Sequence, residues 1–582
     1  MVSARTEAPT TVEAPVEDIT LGVLAAVERL EVQLGCSLLR NGKFIYPSEA
    51  DGSGVDFVGA TCSAGGGLQI LVAGVIKSMT AASAERAALG AGAIVADVIA
   101  IDDGRTQYEK LARIATIRPD IVLVSGGVDG GNVSHVVKMA ELLYAAGVRP
   151  RHGEGKVPVI FAGNRDARDE IRDILSRSSD ARVVDNLRPQ LEVEQIAPAR
   201  QEIQNAFMSH VMVSAPRYSR LTELTSAPVL PTPAAVGKAI EHIGRTCGKT
   251  VLACDIGGAT TDFFSYSSDR LYRTVSANLG LSYSIANVAA QAGLPGIGRY
   301  LPFVYDEVEL SNSLANKMIR PTSLPATPAE LALEQAVVRA ALRLALKHHR
   351  TLVGDVRGVR QQREISQILE QDKPAYAEDD MLGVDMIIGS GSPLSMAPRR
   401  SQAMAMLLDG LMPQGVTEVL LDARFTLPQI GLISEHYPDI AWQILWSEGL
   451  VPLGTVIAPV CNHPGTSATL ARVSLQLPGG QSIDRVIRSG DLFRVPYQSE
   501  DMVRLTITPT GQVDVGAGPG KTRIVATCGG VVGLVLDGRG RPLPQPSGHS
   551  QAVSWALRQA REMDLFPPAV LADFARRGSE RL

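Results

Sequence analysis

Residues 255–262 read Asp-Ile-Gly-Gly-Ala-Thr-Thr-Asp and follow the apolar run 251–254. Carboxylates at both ends bracket a glycine pair and a threonine pair. Gly257 and Gly258 carry no Cβ, so backbone N–H groups there can approach an anion closely. The hydroxyls of Thr260 and Thr261 can donate to the same anion. Asp255 and Asp262 are hard oxygen ligands that suit Mg²⁺, directly or through water. The chemistry open to this segment is the cradling of a polyphosphate with its metal. Its plain alternative is a strand–turn–strand hairpin with polar residues at the tip. A bare Asp-x-Gly-Gly would favour that alternative; the complete octapeptide after an apolar strand favours phosphate.

A second glycine turn lies at 387–395, Ile-Ile-Gly-Ser-Gly-Ser-Pro-Leu-Ser. Gly389, Gly391 and Ser392 stand where an apolar strand breaks, beyond a long helical stretch; the turn resembles the one that packs against adenosine in actin-like ATPases, and that resemblance implies the adenosine side of a nucleotide site. Gly126 and Gly127 close another apolar strand, 120–125, and are counted with the nucleotide-binding residues. Asp129 and Asn132 beyond them suit either ligand or Mg²⁺ contact, or a tight turn that needs their side chains. Residues 516–522, Gly-Ala-Gly-Pro-Gly-Lys-Thr, imitate a phosphate loop, but Val515 stands where that motif needs glycine. A strand pattern follows instead of a helix, so a β-turn is predicted. His348 and His349 end a long helical pattern, where the helix dipole accounts for one of them. Cys62 and Cys254 sit on apolar strands and read as small core residues.

The elements that must position these residues alternate. A helix is expected from Ile19 to Leu34, a strand at 57–62, and an apolar helix after the glycine turn 63–67. Strands at 93–101, 120–125 and 157–162 alternate with helices at 107–117 and 133–146. Strands that end in glycine turns before helices imply an α/β sheet with its ligand loops at the carboxyl edge. A second unit starts with a helix at 233–245 and the strand 250–254, continues through a long helix at 329–349, and reaches a strand at 384–388. Beyond Pro452 short alternating runs with many Gly and Pro turns read as a separate small β-domain.

Composition narrows the class. The chain has 582 residues, 45% hydrophobic and 20% charged, with net charge −5. No basic block suggests nucleic acid, and no apolar run of spanning length suggests a membrane. Six cysteines occur without a Cys-x-x-Cys pair, which argues against zinc knuckles and fits a reducing cytoplasm.

The hairpin at 255–262 resembles the second phosphate loop of actin-like ATPases. Longer stretches resemble one family within that group. They are 8–22 (APTTVEAPVEDITLG), 61–93 (TCSAGGGLQILVAGVIKSMTAASAERAALGAGA), 119–132 (PDIVLVSGGVDGGN) and 157–164 (VPVIFAGN). With them go 230–236 (LPTPAAV), 255–265 (DIGGATTDFFS), 278–284 (NLGLSYS), 387–394 (IIGSGSPL) and 432–441 (LISEHYPDIA). The chain is similar to the glutamate-mutase accessory proteins of the MutL/GlmL family, which is unrelated to mismatch repair.

The resemblance implies an actin-like (sugar kinase/Hsp70-type) two-lobed core binding ATP or ADP with Mg²⁺. Its role would be that of a reactivating, chaperone-like partner of adenosylcobalamin-dependent mutase subunits. Family members usually carry a further DIGST-type loop before the APTTVE segment; this chain starts at that segment, so at most weak ATPase activity is expected. The expected division is a flexible start at 1–17, rich in Thr, Pro and Glu, and a first actin-like lobe at 18–232, short of part of its sheet. A second lobe at 233–452 carries the phosphate loop, a β-rich domain follows at 453–548, and helices close the chain at 549–582. Two rivals stand beside this reading. One is an ATP-dependent amidohydrolase of the hydantoinase/oxoprolinase type; the other is a non-catalytic interaction module that kept the fold.

Overall fold

The computed structural model describes residues 2–11, 15–62, 68–91, 93–151, 155–211, 218–276, 278–353, 381–461, 468–477 and 480–579. The glycine turn read at 63–67 lies outside the described residues. The chain forms two compact α/β units. One is made chiefly by Met1–Ala235, the other chiefly by Val236–Tyr272, Ser276–Val359 and Glu370–Leu582.

In the first unit, helix α1 (Ile19–Leu34) starts at Asp18, whose carboxylate accepts the N–H and hydroxyl of Thr20. It stops at Gly35, in the left-handed region. A Thr- and Pro-rich start predicts a loose segment, but the threonines are used to tie it down. Thr11 donates its hydroxyl to the Asp18 carbonyl and accepts the Gly22 N–H, and Thr6 bonds the Ala26 carbonyl. A Cβ on Gly22 would stand 2.8 Å from the Pro9 carbonyl oxygen. Glycine at that position lets the leading chain lie against α1.

The sheet of this unit is built from β1 (Gln69–Gly74), α2 (Ala82–Gly90), β2 (Ile94–Ala100), α3 (Gln107–Thr116) and β3 (Ile121–Ser125). It continues with α4 (Ser134–Ala146), β4 (Pro158–Phe161), α5 (Arg168–Leu175), β5 (Asp180–Val183) and α6 (Ala197–Ala206). Strand order is β2-β1-β3-β4-β5, and every pairing is parallel. Ile70 and Val72 pack with Ala84, Ala88 and Ile203 on one face; Leu71 and Ala73 pack with Ile114, Met139 and Ile171 on the other. Both faces are therefore covered, as parallel sheets require.

Two expectations change here. The apolar helix placed after residue 67 is the strand β1, and of the strand at 57–62 only Thr61–Cys62 is extended. A strand covered on both faces is a continuous apolar run, which periodicity cannot separate from a buried helix. The actin-like lobe expected for 18–232 is a doubly wound parallel sheet, without an antiparallel hairpin among its five strands. Glycine-ended strands before helices announce either arrangement; strand direction is set by tertiary pairing.

The second unit opens with α7 (Thr232–Cys247), the meander β6 (Val251–Ile256), β7 (Thr261–Ser267) and β8 (Arg270–Ser276), then α8 (Ile285–Ala292), α9 (Glu307–Ile319) and α10 (Pro328–Val353). After these come β9 (Met386–Ser390), α11 (Arg400–Leu411), β10 (Gly415–Asp422), α12 (Leu427–His436) and β11 (Leu450–Ala458). The remainder is β12 (Thr469–Gln476), β13 (Ser482–Arg488), β14 (Leu492–Val495), β15 (Gln498–Pro509), β16 (Arg523–Gly529), β17 (Gly533–Asp537), α13 (His549–Glu562) and α14 (Pro568–Ser579).

Its main sheet runs β8-β7-β6-β9-β10-β11-β17-β14. β6 is antiparallel to β7 and parallel to β9, and β9 is parallel to β10. Alternate residues of β6 feed opposite cores: Leu252, Cys254 and Ile256 meet the α8–α11 layer, while Val251 and Ala253 meet α7 and α12. The boundary expected at 452/453 falls inside β11. β11, β14 and β17 extend the main sheet, and β13-β12-β15-β16 form a second, antiparallel sheet. Leu470, Leu475 and Ile507 of that sheet share one core with Ile457, Leu534 and Leu536. The β-rich segment is thus continuous with the core of this unit. Residues 516–522 are a turn in which Gly516, Gly518 and Gly520 take positive φ, closed on Asp514 and followed by β16.

Candidate phosphate site

The site forms where β6 and β9 end and β7 begins. Asp255 and Asp262 are cross-strand partners in the β6–β7 ladder. Asp255 is also the parallel partner of Ser390, and Cys254 that of Gly389. The two motifs, far apart in sequence, therefore end on adjacent strands at one sheet edge. Asp255 is half-buried and Asp262 is buried.

The hairpin loop between them is tight. Gly257 N–H donates to the Thr260 carbonyl at 2.9 Å, leaving Gly258 and Ala259 at the tip. Among the described residues, the N–H groups of Gly258, Ala259 and Thr260 donate to no protein acceptor. They are the groups that the glycine chemistry calls for. The carbonyls, in contrast, are occupied by residues 279–284. Leu281 N–H donates to Gly257 O, Ser282 N–H and Tyr283 N–H donate to Gly258 O, and the Ser284 hydroxyl donates to Ala259 O at 2.6 Å. The Thr261 hydroxyl is spent on the Leu279 carbonyl at 2.6 Å. Of the two threonines, Thr260 is the one whose hydroxyl stays at the half-buried tip, 3.5 Å from an Asp262 carboxylate oxygen.

The glycine turn is packed against this hairpin. Gly391 has φ 106° and ψ 147°, a region that side chains avoid. Its missing Cβ would stand 2.2 Å from the Ile256 carbonyl oxygen. Gly389 lies under Leu407 of α11, and Ser392 opens a four-residue helical turn, Ser392–Ser395. Asp422 anchors the turn from the end of β10. Its carboxylate accepts Thr426 N–H (2.9 Å) and Leu427 N–H (3.2 Å) at the start of α12, and its carbonyl accepts the Ser395 hydroxyl at 2.6 Å. Burial pushes the Asp422 carboxyl above its ordinary range, against the hydrogen bonds from Thr426 and Leu427.

His348 and His349 bind the far end of α10 to the same meander. His349 contacts the Ser265 hydroxyl and His348 the Ser276 hydroxyl, each at 2.9 Å. Burial, then the nearby Arg350 charge, pushes His349 down to about 3, and burial lowers His348 as well. Neutral rings do not neutralise a helix dipole, so the dipole reading gives way to a packing role.

Gly126 and Gly127 end β3 of the first unit, on a different sheet from Asp255. Asp129 accepts Arg165 N–H (3.0 Å) and the Asn186 amide (2.8 Å), while Asn132 caps Ser134 at 2.7 Å. Both side chains hold their own loops. Cys62 and Cys254 are buried, and burial raises the Cys254 thiol.

The donor set tests Mg²⁺ directly. Among the described residues no three His, Cys, Asp or Glu side chains gather as a metal cluster. Two carboxylates at a sheet edge fit an ion that keeps most of its water and binds phosphate oxygens. Sequence reading counted 278–284 only as a stretch of family resemblance, and it missed Asp422. The segment's two serines and one glycine advertise no chemistry of their own, and Asp422 acts through a backbone it meets only in the fold.

The MutL protein family model matches residues 1–448. The chain belongs to this family. It is 30% identical over 467 residues to Protein MutL of Clostridium tetanomorphum, covering 75% of this chain and 91% of that one. Among solved structures it resembles a nucleotide-free acetone carboxylase, described under ATP-dependent acetone carboxylation, at 12% identity and TM-score 0.26. That match covers 81% of this chain and 76% of the other. The hairpin, the 278–284 segment and the glycine turn all fall inside the region the family model matches. Among the described residues, no helix is long and apolar enough to cross a membrane.

Proposed function

We propose that the second unit is the nucleotide-binding half of an actin-like core, and that the protein serves an adenosylcobalamin-dependent mutase as an accessory, reactivating partner. The observation that carries the nucleotide reading is the pairing of Asp255 with both Asp262 and Ser390. It sets phosphate-type amides, two carboxylates and a glycine turn at one sheet edge. The 3-2-1-4-5 order of the first five strands, β8-β7-β6-β9-β10, also supports an actin-like half. In this reading the Gly258, Ala259 and Thr260 amides take the phosphates. Asp255 and Asp262 hold Mg²⁺ through water, and the Gly389–Ser392 turn receives the adenosine. Family membership supports the mutase as partner and a cytoplasmic setting.

Calorimetry with ATP and Mg²⁺ tests the site. Asp255→Ala and Thr260→Ala should each weaken binding by about 1.5–3 kcal/mol, the worth of a lost charge-assisted contact. A native chain without nucleotide affinity would sink the reading. Equal affinity in native and variant chains would reduce the hairpin to a structural turn. Co-purification with the mutase subunits, in the presence and absence of ATP, tests the partner.

A further inference from the structure

We infer that Tyr283 is a ligand-contacting residue of this site, its phenol donating to a phosphate oxygen of the bound nucleotide. The inference rests on the nucleotide reading above and adds a side-chain donor to the backbone amides. It starts from the way residues 282–284 are divided. Ser282 and Ser284 are buried, and their hydroxyls hold the Gly258 and Ala259 carbonyls. Tyr283, between them, is 65% exposed. Its own backbone is fixed, because its N–H donates to Gly258 O at 3.1 Å.

The ring is therefore held beside the tip of the phosphate hairpin. The position a Gly258 Cβ would take lies 3.6 Å and 3.8 Å from two Tyr283 ring carbons, Cδ2 and Cε2. A side chain at 258 would touch that ring at ordinary contact distance and would collide with the Ser282 hydroxyl, 2.6 Å away. Among the described residues, no protein group bonds the Tyr283 hydroxyl. An isolated exposed aromatic is ordinary on a surface. One anchored through its own N–H to the loop with three unused amides is placed for a ligand of the same chemistry. A phenol O–H is a donor at neutral pH and meets a phosphate oxygen as a charge-assisted hydrogen bond.

The experiment uses the full chain with ATP–Mg²⁺ and, separately, with adenosine. Tyr283→Phe removes only the hydroxyl; Tyr283→Ala also removes the ring. Both should weaken ATP about tenfold or more, leave adenosine affinity unchanged, and leave the melting temperature unchanged because the side chain is exposed. Native binding of ATP with unchanged affinity in both variants would overturn this inference alone. So would an equal loss for adenosine, since the residue would then be shaping the glycine turn. A native chain that binds no nucleotide would overturn the underlying reading, and this inference with it.

Discussion

Gly391→Ala puts a methyl group where the structure has no space for one. At φ 106° and ψ 147° an alanine backbone is strained, by about 1–3 kcal/mol. The new Cβ would lie 2.2 Å from the Ile256 carbonyl oxygen, against the 3.0 Å that real Cβ contacts respect. Something must move by about 0.8 Å, the difference between those two distances. Ile256 is completely buried and ends β6 between β7 and β9, so the glycine turn is the part that gives. Overpacking of this kind costs about 1–3 kcal/mol. The two contributions sum to about 2–6 kcal/mol, a large share of the 5–15 kcal/mol that stabilises a typical domain. Urea unfolding of native and variant chains measures it. Gly490→Ala is the control, because Gly490 has φ 86° but open space around its missing Cβ. It should lose only the backbone strain, about 1–2 kcal/mol. If Gly391→Ala loses no more than Gly490→Ala, the turn does not approach Ile256 as closely as argued, and the adenosine side of the site loses its support.

His349 should make stability pH-dependent. Its folded value is about 3, below the ordinary 6.5 of the unfolded chain, so the unfolded state binds the extra proton. Stability is then lost as pH falls through 6.5 and continues to fall toward 3. Between pH 7 and pH 5 the native chain should lose about 2 kcal/mol more than His349→Gln, read from paired urea titrations; equal losses would mean that the ring is not buried as a neutral group. Asp409→Ala should cost about 3–5 kcal/mol. Asp409 is fully buried and accepts from Arg339 at 2.9 Å, Arg539 at 3.0 Å and Gln559 at 2.7 Å, so its removal leaves the buried Arg339 guanidinium without its carboxylate, while Arg539 keeps Asp537 at 2.8 Å. A melting temperature that does not move would show that water reaches the cluster.

The sequence exposed those parts of the structure that depend on local chemistry. The 255–262 hairpin was legible because its glycines, threonines and carboxylates follow directly on an apolar strand. The long helix α10 and the closing helices α13 and α14 were legible from apolar spacing. Strand β1 was not, since Ile70–Ala73 is apolar on both faces. The membership of β11, β14 and β17 in the main sheet was not legible either. Their pattern alternates as any half-buried strand does, and the partner strands lie far away in sequence. The binding of residues 2–11 to α1 escaped notice because Thr6 and Thr11 bond backbone carbonyls, which every residue has.

The same long-range bonds define how a nucleotide signal would leave the site. The hairpin carbonyls are held by residues 279–284, which lead directly into α8. Ile285 and Val288 of α8 share a core with Ala336, Val337 and Ala341 of α10. The far end of α10 returns to the meander through His349 on Ser265 and His348 on Ser276. The path from hairpin to helices and back is closed, through packed or hydrogen-bonded groups at each step. A hairpin drawn toward phosphate must pull on residues 279–284, and with them on α8, because no slack loop intervenes. A partner that grips α8 or α10 in one nucleotide state only would feel that change. By linkage its binding would shift nucleotide affinity by the same factor. The mutase reading therefore predicts reciprocal tightening or weakening, and a partner whose affinity ignores ATP would have to bind outside this circuit.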